Sequence, residues 1–84
     1  MSQLQKTMTA ILSGMQDKNI SFSDLYNILV VLGFSVRIKG DHHIFTRQDV
    51  AEIINIQPNG NKAKPYQVKQ IRNLILKYKL GGAV

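Results

Sequence analysis

The stretch Phe34-Ser35-Val36-Arg37-Ile38-Lys39-Gly40-Asp41-His42-His43-Ile44-Phe45 decides the fold, because in it the hydrophobic period falls to two. Phe34, Val36 and Ile38 alternate with Ser35, Arg37 and Lys39, the pattern of a half-buried strand. Gly40-Asp41 reads as a two-residue hairpin loop, with glycine supplying the positive φ that primed turns require. That loop pairs Lys39 with His42, Ile38 with His43, Arg37 with Ile44 and Val36 with Phe45. Side chains alternate between the two faces of a sheet. Val36, Ile38, His43 and Phe45 therefore share one face, which its apolar content makes the core side. Arg37, Lys39, His42 and Ile44 share the other, an open cationic face with His42 at its end.

Working outward, the segment before the hairpin is helical. Leu25, Ile28, Leu29 and Leu32 form an i, i+3, i+4, i+7 stripe, with Ser21 as N-cap, Asp24 three residues on and Gly33 just past the end. Further back, Leu4, Met8, Ile11, Leu12 and Met15 recur at helical spacing before Gly14 and Asn19 weaken the pattern. After the hairpin strand His42 to Arg47, a third strand runs from Ile53 to Gln57, and Gln48 to Glu52 reads as the connection. Pro58-Asn59-Gly60-Asn61 closes that strand. A last helix starts near Pro65, carries Ile71, Leu74, Ile75 and Tyr78 on one stripe, and stops at Gly81-Gly82. The expected class is α+β, a three-stranded antiparallel sheet packed on helices in the order α-α-β-β-β-α.

Eighty-four residues make one domain, 1–84, with a core that folds but has little stability to spare. Residues 1–20 read as an N-terminal helical extension and 21–80 as the α-β-β-β-α core. The net charge is +6, from eleven Lys and Arg against five Asp and Glu. Such a surface attracts polyanions, with nucleic acid the first candidate; an anionic membrane or an acidic protein uses the same field. The N-terminus lacks a secretory apolar region, and the longest apolar run, Ile28 to Leu32, is far short of the ~20 residues that cross a bilayer. A cytoplasmic protein without membrane contact is the expectation. Cysteine is absent, so disulfides and thiolate–zinc sites are excluded.

Histidine both accepts and donates a proton near neutral pH, and His42 stands among cations. His43, pointing the other way, belongs to the edge of the core. Adjacent histidines on opposite faces cannot hold one ion, cysteine is absent and the carboxylates are scattered, so no metal site is expected; no cofactor is assigned. Lys62, Lys64, Lys69 and Arg72 bracket the start of the last helix. Lys62 and Lys64 cluster where free N–H groups and the helix dipole favour anions. Tyr66 and Tyr78 do not form a stacking platform, so electrostatic tracking of a phosphate backbone is the better fit.

Leu32-Gly33-Phe34, the run Val36 to Phe45 and Ile71-Arg72-Asn73-Leu74-Ile75-Leu76 together resemble the HicA family of toxin–antitoxin mRNA interferases, over about Phe22 to Leu80. The resemblance implies a small fold like that of double-stranded-RNA-binding domains and a ribonuclease that cuts mRNA and arrests translation. It also implies a HicB-type antitoxin as partner. The histidine of the family's Gly-x-His motif falls on His42, as the catalytic residue. The middle position, usually Ser or Gly, is Asp41 here. On this reading His42 serves as acid or base, and Arg37, Lys39, Lys62, Lys64, Lys69 and Arg72 bind RNA phosphates. Two rivals remain at this point: a module of the same fold that holds RNA without cutting it, and a basic protein that binds an acidic partner.

Overall fold

A computed structural model describes residues 2–83 of the chain. Its order is α1 (Gln3–Ser13), a short 3-10 turn at Asp17–Asn19, α2 (Phe22–Val31), β1 (Ser35–Lys39), β2 (His42–Arg47), β3 (Val50–Ile56) and α3 (Pro65–Tyr78), followed by a 3-10 turn at Leu80–Ala83. The fold is α+β, in the order α-α-β-β-β-α expected from the pattern. The strands form one antiparallel sheet with β2 in the middle. Among the described residues, no helix is long and apolar enough to cross a membrane.

Local chemistry accounts for the helix ends. Ser2 caps α1 through a reciprocal pair of bonds with Gln5, and Gly14 closes it at φ 72° in the left-handed region. Ser21 Oγ accepts from the Asp24 N–H at 3.1 Å and starts α2. Pro65 sits in the first turn of α3, where its missing N–H costs nothing. That helix ends on Lys79, not on Gly81-Gly82: Lys79 takes the left-handed conformation (φ 55°, ψ 46°) and sends its N–H to the Ile75 carbonyl.

All three helices lie on one side of the sheet and share a single core. Met8 and Ile11 of α1, Leu25, Ile28 and Leu29 of α2, Phe45, Ile54 and Ile56 of the sheet, and Val68, Ile71 and Ile75 of α3 are all buried in it. Met8 and Ile11 of the α1 stripe thus complete the core, while Met15, beyond the helix end, is 86% exposed. The helix side of the sheet carries Val36, Ile38, His43, Phe45, Val50, Glu52, Ile54 and Ile56. The β3 strand begins at Val50, three residues before the expected Ile53, because Gln48-Asp49 is a tight turn. Its extra length is taken up by an irregularity between Phe45 and Arg47 of β2.

The two outer edges of the sheet differ. On β3, the buried Gln67 donates Nε2 to the Asn55 carbonyl at 3.3 Å, and the Ala51 N–H donates to the Tyr78 hydroxyl at 3.3 Å. The α3 helix is therefore fastened to that edge at two points. The Lys39–His42 pair flanks a two-residue loop, so backbone groups of Val36 and Ile38 alternate outward from β1. Among the described residues, neither makes a backbone bond outside the sheet.

Candidate nucleic-acid interface

The hairpin register is the one that the Gly40-Asp41 loop dictates: Lys39 opposite His42, Ile38 opposite His43, Arg37 opposite Ile44 and Val36 opposite Phe45. Gly40 has φ 62° while Asp41 is not among the positive-φ residues, the sign pattern of a type II′ turn. The two histidines consequently part. His43 turns to the helix side, where its ring meets Phe22 edge-on at 4.9 Å and Tyr26 at 5.8 Å between centroids. His42 stands on the opposite, open face.

One expectation for this sheet needs correcting. Ile38 shares its side with Phe45, yet it is 58% exposed. The aromatic rings of α2 close over His43 and Phe45 on the central strand, so the end of the outer strand is left uncovered.

The open face carries Arg37 and Lys39 from β1, His42, Ile44 and Thr46 from β2, and Ala51, Ile53 and Asn55 from β3, with Gln57 just beyond. A shallow groove of about 390 Å³, lined by Ser35, Val36, Arg37, Ile44 and Thr46, runs along its β1 side. His42 is held by groups that no sequence motif announces. Its Nδ1 lies 3.2 Å from Asn55 Oδ1, and its Nε2 lies 3.2 Å from Gln57 Nε2. Gln57 Nε2 also donates to Asp41 Oδ2 at 3.4 Å, and Asp41 Oδ1 is 3.9 Å from His42 Nε2. With His43 opposite Ile56, the next step of the register puts Gln57 opposite His42.

The remaining basic residues divide. Because the start of β2 pairs with the end of β3, the loop after β3 leaves from the hairpin end of the molecule. Asn59 and Lys62 close that loop with two backbone bonds of 2.9 and 3.1 Å, and the Ala63 N–H ties it to Ile20, beside the start of α2. Lys62 and Lys64 thus lie at the same end as His42, with the starts of α2 and α3. Lys69 is exposed on α3, in the helical layer behind the sheet. Arg72 does not join them. Its Nη1 donates to Asp17 Oδ1 at 2.9 Å, to Asp17 Oδ2 at 3.1 Å and to the Ile11 carbonyl at 3.2 Å, so it ties α3 to the N-terminal segment.

At the opposite end, Glu52 accepts from Lys77 Nζ at 2.8 Å and from the Tyr78 hydroxyl. The Lys77 bond first, and the Tyr78 bond second, hold the Glu52 carboxyl down at about 2. The same carboxylate raises the Lys77 ammonium above its ordinary value.

Comparison with known proteins adds one match. A family model described as the HicA toxin of bacterial toxin–antitoxin matches residues 22–78, α2 through α3. No curated protein and no solved structure matches.

Proposed function

This chain belongs to the HicA toxin family of bacterial toxin–antitoxin systems, and on that premise we propose that it is a metal-independent endoribonuclease that cuts mRNA with His42 as the proton-transfer group. The observation that carries the reading is the position of His42. It is the open-face histidine, paired across the hairpin with Lys39 and two residues along β2 from Arg37's partner Ile44. Its Nε2 takes the proton of an RNA 2′-hydroxyl as O2′ attacks the adjacent phosphorus. The P–O5′ bond breaks, and the leaving oxygen is protonated from water. Arg37 and Lys39 hold the phosphate and offset its growing negative charge, and Lys62 and Lys64 track the strand at the same end. A HicB-type antitoxin is the protein partner that silences it.

His42 and His43 face opposite sides of the sheet and do not offer two ligands to one ion, which supports the metal-free assignment. The test is His42→Ala. Cleavage of a short RNA and growth inhibition are lost by about 100-fold or more, while salt-sensitive RNA binding remains. Undiminished cleavage in that variant would sink the assignment. Cleavage abolished by EDTA would sink its metal-free part. If the unmutated protein binds RNA and never cuts it, the chain is a holder of RNA instead.

A further inference from the structure

The amides beside His42 form a chain that is satisfied in one polarity. An ionised Asp41 carboxylate only accepts, which fixes Nε2 as the end of Gln57 turned toward it, 3.4 Å from Asp41 Oδ2. The same donor nitrogen lies 3.2 Å from His42 Nε2, so that ring nitrogen presents its lone pair. The proton of the neutral ring then resides on Nδ1, 3.2 Å from Asn55 Oδ1, which accepts it. Asn55 is itself anchored from the core, where its carbonyl receives the buried Gln67 amide at 3.3 Å.

We propose that Asn55 is a positioning residue that holds His42 in its Nδ1–H tautomer and so presents Nε2 to the RNA hydroxyl, with Gln57 occupying Nε2 until the substrate displaces it. This rests on the reading of His42 as the proton acceptor. A free imidazole in water favours the other tautomer, so the arrangement needs a dedicated acceptor. Asn55 supplies it from the diagonal cross-strand position, two residues along the chain from Gln57, the register partner of His42. On taking the proton, the ring keeps its bond to Asn55 and gains the Asp41 carboxylate, 3.9 Å from Nε2 in the free protein. Asp41, unusual in the Gly-x-His motif, thereby has a use: it orients Gln57 and faces the charged ring.

The experiment combines 15N NMR of the His42 ring with cleavage kinetics. In the parent protein at a pH where the ring is neutral, Nδ1 carries the proton. In Asn55→Leu the population moves to the Nε2–H form, and kcat falls about ten-fold or more with KM unchanged. Asn55→Asp keeps the acceptor but stabilises the imidazolium, so the acid limb of the pH–rate profile moves up by about 1 pH unit. A parent ring already in the Nε2–H form, or a tautomer unmoved by Asn55→Leu, overturns the role of Asn55. Cleavage that survives His42→Ala overturns the underlying reading instead, and the tautomer measurement distinguishes the two failures.

Discussion

Arg72 is the residue for which sequence and structure point to different experiments, so its replacement is the most informative. Arg72→Met keeps the aliphatic stem and removes the guanidinium, which makes three contacts: two to Asp17 and one to the Ile11 carbonyl. The side chains of Arg72 and Asp17 are 16% and 21% exposed, so the pair is neither a surface ion pair nor a dry one. Removing one partner of a buried pair costs about 3–5 kcal/mol, and an exposed pair contributes about 1 kcal/mol or less. A value between these limits, about 2–3 kcal/mol, is expected. For a domain of this size that lowers Tm by roughly 10–20 °C. Thermal melts and urea titrations of the parent, Arg72→Met, Asp17→Asn and the double variant complete a cycle with a coupling of about 1.5 kcal/mol. RNA affinity measured against salt, where all variants are folded, keeps its slope in Arg72→Met. It flattens by about 1 in Lys62→Ala and in Lys64→Ala. A Tm within about 3 °C of the parent, coupling near zero and a flattened salt slope would return Arg72 to the RNA and refute its structural role.

Lys79→Gly relieves a non-glycine residue held at φ 55° and raises stability by about 1 kcal/mol, read as a rise in the urea midpoint at unchanged m-value. A loss of stability would mean that the Lys79 side chain contributes a contact outweighing the backbone strain. Glu52 gives a pH dependence with a definite sign. Its carboxyl lies at about 2 in the folded chain against an ordinary 4.5, so the folded state favours the charged form. The stabilisation from its bonds to Lys77 and Tyr78 is complete above the ordinary value and is lost as pH falls from there toward 2. Urea titrations should show Glu52→Gln less stable than the parent at pH 7, with the gap narrowing at pH 3. An equal gap at both pH values would contradict the shift.

The hairpin was legible because a two-residue loop leaves no freedom in the pairing of its strands, and alternation then separates His42 from His43. Alternation assigns a face but does not say how far a neighbouring helix reaches across it, which is why Ile38 reads as core and is exposed. Arg72 reads as a free cation because a helical wheel shows only the helix to which it belongs. Its carboxylate lies 55 residues away, in a turn delivered by the N-terminal extension. Asn55 and Gln57 escape notice for a related reason. Amides on a strand carry no motif, and the irregularity between Phe45 and Arg47 hides the register that would place them beside His42.

The unequal edges of the sheet limit what a misdirected strand can build. With Gln67 and Tyr78 of α3 fastened to β3, β1 is, among the described residues, the sheet edge with no such fastening to another chain segment. Fibres that grow by strand addition need two such edges on every unit, one to join by and one to extend from. A chain with one can meet a single neighbour, after which both edges are spent and growth ends at a pair. Even that pairing is opposed when β1 meets its own copy antiparallel about its midpoint, since Arg37 then lies opposite Arg37. The position of one helix thus makes the two edges of the sheet unequal as points of entry for another strand.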